Sequence, residues 1–343
     1  PHRFEIVAAR DYRDTARAIR DMVVRGAPAI AATAAYGLAQ GAREFRGRNL
    51  ERFESHVEQV FQTLKAARPT AVDPVHAMIE VRREMKAGKT VAERQVLALA
   101  AAEEFANRSA RECAAIGQYG VKLIRSGQRV LTHCNAGWLA TVDWGTALAP
   151  IYKAHDSGLP IHVWVDETRP RNQGMSLTAW ELGQHGVSHT VIADNAGGHL
   201  MQHGMVDLVI VGTDRTTARG DVCNKIGTYL KALAAKDNGI PFYVALPSPS
   251  IDWRIDDGVA DIPIEQRDAS ELSRISGRLP DGTIVQVEIA PEGSAMANYA
   301  FDVTPAHLVS GLVTERGVCE ASAQGLRWLF PEGAPTAESK AHA

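Results

Sequence analysis

Along the first third of the chain, apolar residues recur at spacings of three and four. Leu50, Phe53, Val57, Val60, Phe61 and Leu64 trace one buried face of a helix. Val75, Met78, Ile79 and Met85 predict another, and the Ala/Leu-rich stretch 90–125 predicts a third, long one. Residues 1–125 therefore read as a mostly helical N-terminal domain. Beyond Gly127 the rhythm changes to short β-branched runs. Residues 129–134, 161–166, 189–194, 208–213, 242–246 and 285–289 predict strands, and stretches 139–155, 178–185 and 225–238 predict helices between them. Near-continuous apolar strands separated by helices imply a parallel sheet covered on both faces. The expected fold class is α/β, with a Rossmann-like parallel-sheet C-terminal domain over 126–331. Residues 332–343 are small and polar and read as a flexible tail.

Bulk properties narrow the partners. The chain has 343 residues, 45% of them apolar, and a net charge of −3. That balance gives no electrostatic reason to expect nucleic acid or an anionic membrane surface. Cys113, Cys134, Cys223 and Cys319 form no CxxC pair, which fits a reducing compartment, and the cytoplasm is the default expectation. The longest membrane candidate, the alanine-rich run 27–39, is too short to span a bilayer, and the start at Pro1 carries no signal-peptide pattern.

Three motifs invite cofactor readings. No glycines stand in the order GxGxxG, so the case for a dinucleotide is poor. Gly88-Lys89-Thr90 resembles the end of a phosphate-binding loop, yet Arg83 stands where the first glycine is needed, and a turn between helices is the expectation. His199 and His203 have the spacing of two metal ligands, but Leu200 replaces the glutamate of a metalloprotease and no third ligand is evident nearby. No metal is expected there.

Reactive residues gather where predicted strands end: His133-Cys134-Asn135, Asp166-Glu167-Thr168-Arg169, Asp194-Asn195 and Asp214-Arg215. Parallel neighbouring strands would open all four clusters onto one sheet edge, where α/β folds bind ligands. Asp214 follows an apolar run, so one reading is a poorly solvated carboxyl suited to general-acid work; the other is a turn cap or a partner of Arg215. Cys134 reads either as a small buried hydrophobe or as a thiol on an exposed strand-to-helix turn. Asn224-Lys225 stands at the start of a predicted helix, where a lysine opposes the helix dipole unless an anion is bound. Pro28 suits a helix start and leaves Arg25 and the Gly26 and Ala27 amides near its positive end, and Arg68 is another loop cation. For both arginines a solvated surface charge is the alternative.

Taken together, these segments resemble the methylthioribose-1-phosphate isomerase family, which is homologous to the regulatory subunits of the translation factor that exchanges nucleotide on initiation factor 2. The resemblance rests on Val-Arg25-Gly-Ala-Pro-Ala-Ile, Arg68-Pro-Thr-Ala-Val, Thr-His-Cys134-Asn-Ala-Gly, Asp-Glu-Thr-Arg-Pro with Gln173-Gly174, Gly-Thr-Asp214-Arg, and Asn224-Lys225-Ile-Gly-Thr-Tyr. It continues to the Asn298 and Glu315 segments and covers nearly the whole chain. It implies an aldose-ketose isomerase of methionine salvage, acting on 5-methylthioribose 1-phosphate. It further implies Cys134 and Asp214 as catalytic residues, Asp214 being the proton donor. Arg25, Gly26, Ala27, Arg68, Gln173, Asn224 and Lys225 match substrate-binding positions. The same resemblance implies no metal, no nucleotide cofactor, and a homodimer.

Departures from the family pattern cluster on the expected substrate tail: Trp138, Asp143-Trp144, Asp73 to His76, Thr213 and the stretch 195–198. They keep open a 5-deoxyribose 1-phosphate substrate, alone or alongside the methylthio compound. A non-catalytic, translation-factor-like binding subunit is the alternative of another class. Retention of Cys134 and Asp214 together with Arg25, Arg68, Gln173 and Lys225 favours the enzyme.

Overall fold

The computed structural model describes residues 2–68 and 73–333. Of the expected tail, residues 334–343 lie outside the described residues, as does Pro69-Thr-Ala-Val72 of the Arg68 motif. The chain forms two compact units: Glu5–Ala114 with Trp138–Gly145, and the remainder, built on Ala115–Gly137 and the chain from Thr146 onward.

The first unit is helical, with α1 (Tyr12–Arg20), α2 (Ala27–Glu44), α3 (Leu50–Ala67), α4 (Asp73–Met85) and most of α5 (Val91–Gly120). Side-chain oxygens cap three of these starts: Asp11 accepts from the Arg13 and Asp14 amides, Asn49 from the Arg52 amide, and Thr90 from the Glu93 amide. As the pattern predicts, α3 buries Phe53, Val57, Val60, Phe61 and Leu64. On α4 the buried face is Pro74, Ala77, Met78, Val81 and Met85, and Ile79, one step off that face, is exposed. The alanine-rich run lies in α2, whose small residues let neighbours close in: a Cβ on Gly41 would meet Val60 Cγ1 at 2.5 Å. Gly88-Lys89-Thr90 is the turn from α4 to α5, where Thr90 Oγ1 accepts from the Glu93 amide. No described helix is long and apolar enough to cross a membrane.

Strands of the second unit are β1 (Arg129–Thr132), β2 (His162–Asp166), β3 (His189–Ile192), β4 (Leu208–Val211), β5 (Arg215–Thr217), β6 (Val222–Lys225), β7 (Phe242–Ala245), β8 (Ile251–Asp252), β9 (Arg274–Arg278), β10 (Ile284–Glu288), β11 (Phe301–Thr304), β12 (Gly311–Thr314) and β13 (Gly317–Cys319). A seven-stranded sheet runs β13-β12-β7-β4-β1-β2-β3. All its neighbours pair in parallel except β12 and β13. Every residue of β4 is buried, as a central parallel strand requires, and each such side chain contributes about 1.5–3 kcal/mol. Helices α6 (Leu148–Asp156), α7 (Ala179–His185), α8 (Gly197–Gln202) and α9 (Thr228–Asp237) connect the strands. This is the expected parallel architecture.

Three expectations need correction. Residues 285–289 are not in the parallel sheet: β10 pairs antiparallel with β9 in a separate ribbon. Its alternation of Ile284, Val285, Gln286, Val287 and Glu288, mostly exposed, suits a ribbon and not a strand covered on both faces. The expected helix 139–155 is only α6; before it, Thr141 Oγ1 donates to Asp143 O and accepts from the Gly145 amide, folding residues 141–145 into a turn. The expected helix 225–238 begins at Thr228, because Asn224 and Lys225 are buried in β6, between β5 and β11. Gly227, at φ 99°, makes the strand-to-helix turn that a side chain would resist. This second sheet, β11-β6-β5-β8, carries too few apolar residues for its strands to be read from periodicity.

Candidate active site

Strand order reverses between β1 and β4. From β1 the sheet grows through β2 to β3 on one side, and from β4 through β7 to β12 on the other. Ligands of open α/β sheets bind at the carboxyl ends of the strands flanking such a reversal. Cys134 follows β1 and Asp214 follows β4, two strands paired directly at Val130–Leu208 and Leu131–Val209. The loops beyond them touch: a Cβ on Gly212 would stand 2.8 Å from Ala136 Cβ.

Cys134 is 9% exposed, less than the exposed turn read from its neighbours. It adopts a left-handed φ of 64°, which costs a non-glycine residue about 1–2 kcal/mol. Two threonines hold it there. The Cys134 amide donates to Thr168 Oγ1 at 2.8 Å, and Thr178 Oγ1 donates to the Cys134 carbonyl at 2.7 Å. Thr168 and Asn172 are also left-handed, at φ 68° and 56°, so strained backbone concentrates on this sheet edge. Beneath the loop, the buried Glu181 carboxylate accepts from Asn135 Nδ2 at 2.9 Å and from the Tyr152 hydroxyl at 2.8 Å. Burial, then the Glu181 charge, pushes the Tyr152 hydroxyl far above its ordinary value, so it serves as a neutral donor.

Asp214 is exposed, contrary to the poorly solvated setting expected from its apolar approach. The reason is the turn: Asp214 N donates to Cys223 O at 2.9 Å, which starts the β5–β6 hairpin and leaves the carboxylate outside the sheet. Arg215 turns to Asp252, 3.7 Å away. Cys223, buried in β6, has its thiol pushed up to about 12 by burial and by the Asp214 charge.

The remaining predicted residues of this unit are Gln173, which follows β2, and Asn224 and Lys225, which lie in β6 of the second sheet. Gln173 is buried, and its Oε1 has no hydrogen-bond partner among the described residues. It precedes Gly174, where a Cβ would overlap Asp166 O and come 3.0 Å from Thr168 Oγ1. Asn224 Nδ2 donates to Thr228 Oγ1 at 2.9 Å. Lys225 is buried too; Nζ donates to Ala300 O at 2.9 Å and lies 4.6 Å from the centre of the Phe301 ring. Since it is a strand residue, the helix-dipole argument for an anion does not apply to it. An ammonium has three donors, however, and Ala300 takes one.

In the helical unit, Gly26 caps α2 at φ 88°, with Ala27 the first helical residue. A Cβ on Gly26 would overlap Ala140 O, so that position is closed to other side chains. Arg68, the cap after α3, sends Nη1 to Met22 Sδ at 2.7 Å, in the turn that leads to Arg25. Arg25, Gly26, Ala27 and Arg68 are thus gathered at one end of that unit.

His199 and His203 are exposed on and just after α8, and His203 Nδ1 lies 2.8 Å from the His199 carbonyl. Three polar side chains escape the sequence reading: Lys231 and Glu181, which are buried, and Asp302, which is half-buried. Lys231 Nζ stands 3.3 Å from Asp166 Oδ2. Asp302 accepts from the Gly227 and Tyr229 amides at 2.7 and 3.1 Å. Burial pushes the Asp302 carboxyl up, against those two bonds and the His133 and Lys231 charges. Lys231 and Glu181 sit in helical stretches where local sequence gives no sign of burial.

Residues 23–321 match the model of the initiation factor 2 subunit family. A methylthioribose-1-phosphate isomerase of Rhodospirillum rubrum is 59% identical, over 98% of this chain and 87% of its own. Among solved structures, 5-methylthioribose 1-phosphate isomerase from Pyrococcus horikoshii aligns with TM-score 0.88 and 38% identity, over 97% of this chain and 91% of its own. A chain described as the delta subunit of translation initiation factor eIF-2B from A. fulgidus aligns with TM-score 0.85 and 39% identity, over 96% and 94%. By these matches the chain belongs to the initiation factor 2 subunit family and, within it, to the methylthioribose-1-phosphate isomerases.

Proposed function

We propose that this chain converts 5-methylthioribose 1-phosphate to 5-methylthioribulose 1-phosphate, with Asp214 and Cys134 as its catalytic residues. The observation that carries this reading is that both residues follow directly paired strands, β1 and β4, which flank the reversal of strand order. A sugar phosphorylated on its anomeric oxygen has no free aldehyde, so its ring must first be opened by protonating the ring oxygen. Asp214 donates that proton. Because Asp214 is exposed in the chain, bound substrate has to displace water from the carboxyl for it to keep a proton. Hydrogen then moves from C2 to C1, as a proton by way of a cis-enediol with Cys134 as shuttle, or as a hydride past the Cys134 thiol.

Gln173, whose Oε1 has no hydrogen-bond partner among the described residues, Asn224 and Lys225 are assigned to substrate binding. Arg25, the Gly26 and Ala27 amides and Arg68, in the helical unit, are assigned to substrate binding as well. The isomerase matches at 59% identity support the methylthio compound over a translation-factor role.

Turnover of ribose 1-phosphates carrying methylthio, deoxy or phosphorylated C5 tests the proposal. Preference for the methylthio compound supports it, and a faster reaction with the deoxy compound would reassign the substrate. No turnover of any of the three would leave a binding subunit as the function.

A further inference from the structure

His133, the residue before the proposed catalytic thiol, has no exposed side-chain surface and is bounded by acceptors on both sides. Its Nδ1 lies 3.0 Å from Asp166 Oδ2, and its Nε2 lies 2.9 Å from the carbonyl oxygen of Ile226. A backbone carbonyl can only accept, and an ionised carboxylate can only accept. A neutral imidazole has one N–H and one lone pair, so in either tautomer it would turn a lone pair toward an oxygen. For a buried side chain, a lost hydrogen bond of this kind costs about 1–3 kcal/mol.

We propose that His133 is held as a doubly protonated imidazolium, a fixed positive charge that positions Cys134 against the β6–α9 turn for the isomerase reaction.

The charges around it fit that state. Asp166, on β2, is fully buried and receives a second cation, Lys231 Nζ of α9, at 3.3 Å from the same Oδ2. Asp166 Oδ1 has no hydrogen-bond partner among the described residues. From β11, Asp302 faces the same group and feels the charges of both His133 and Lys231. Two carboxylates, of which Asp302 is half-buried, one ammonium and one imidazolium make a quartet of zero net charge, whereas a neutral His133 would leave it at minus one. A proton placed on Asp166 instead would aim the Lys231 ammonium at a neutral acid and forfeit a charge-assisted bond. Gly227 lies against this cluster, a Cβ there standing 3.2 Å from His133 Cε1.

The consequence is mechanical. Through His133 the Cys134 loop is tied to Ile226, the residue after Lys225, so the thiol and the proposed substrate-binding cation share one rigid link. His133 touches no substrate in this scheme and acts as a positioning residue. That role rests on the isomerase reading, but the protonation state does not.

The test uses the full chain labelled with 15N-histidine, with the His133 signals identified by their loss in His133→Gln. Near neutral pH, both ring nitrogens are expected to carry protons. One protonated and one bare nitrogen would overturn the proposal. Should the variant not fold, neutron diffraction from wild-type crystals locates the ring deuterons directly. Where it folds, His133→Gln is expected to lower kcat about 100-fold while KM stays within about 3-fold, as for loss of alignment; unchanged kcat would overturn the positioning role. A wild-type chain inactive on 5-methylthioribose 1-phosphate would sink the isomerase reading alone, and the ring spectrum would still decide the state of His133.

Discussion

Gly212 packs against Ala136 so closely that a Cβ on the glycine would stand 2.8 Å from the alanine methyl. Ala136 lies two residues past Cys134 and Gly212 two residues before Asp214, so this contact sets the spacing of the two loops. Gly212→Ala is expected to wedge them apart and lower kcat about 100-fold, since about 1 Å of misplacement is enough for that. The double variant Gly212→Ala with Ala136→Gly exchanges the methyl between the loops and is expected to recover most of the rate. Wild-type turnover by the single variant, in steady-state kinetics, would show that the spacing does not matter.

Thr168 holds Cys134 in its strained conformation by accepting from the Cys134 amide, while its own hydroxyl donates to Asp166 O at 3.0 Å. Thr168→Val keeps the shape and removes both bonds. Urea unfolding is expected to register a loss of about 1–3 kcal/mol. Turnover is expected to suffer beyond that, because a relaxed loop no longer presents the thiol. Thr168→Ser should restore both, and a valine variant equal to wild type in both would count against the threonine latch.

The parallel sheet and its reactive edge were legible in the chain because β1, β2, β3 and β4 are apolar runs that stop on polar groups. Burial is complete only in the central β4, while β3 forms the partly exposed edge, yet the parallel pairing of all four brings their polar ends together. Asn224 and Lys225 were misplaced for a physical reason: Val222–Lys225 pairs with two strands, and that pairing, set by residues as distant as Phe301, overrides the helical pattern that Thr228–Asp237 would extend backwards. Asp214 failed differently. The apolar run before it describes β4, and the hairpin that turns its carboxylate outward depends on Cys223 across the turn. Lys231 looked like the polar face of an ordinary helix, since its partner Asp166 lies 65 residues earlier in the sequence.

Cys134→Ser and Asp214→Asn are each expected to cut turnover of 5-methylthioribose 1-phosphate by several orders of magnitude. Substrate affinity, measured by calorimetry, should stay within about tenfold of wild type, a difference of about 1.4 kcal/mol. Near wild-type turnover by either variant would remove that residue from the mechanism. For the wild type, reaction in deuterated water tests the route of the hydrogen: extensive deuterium at C1 of product would rule out direct hydride transfer.

Cys223 gives the chain an alkaline weak point. Burial, reinforced by the Asp214 charge, pushes its thiol up to about 12 from an ordinary value of 9.0. Above about pH 9 the unfolded chain releases this proton while the folded chain keeps it, so the folded state binds more protons and stability falls as pH rises. Its contribution is fully present below pH 9 and is lost progressively toward pH 12. Cys319, pushed up to about 11 by burial and then by Glu320, titrates in the same window and in the same sense. The melting temperature is therefore expected to fall from about pH 9 to about pH 11, and less steeply in Cys223→Ala. In the native chain over that range, iodoacetamide should leave Cys223 unmodified, with alkylated peptides identified by mass. Rapid labelling of Cys223, or an unchanged slope in the alanine variant, would mean that its thiol is not held protonated by the fold.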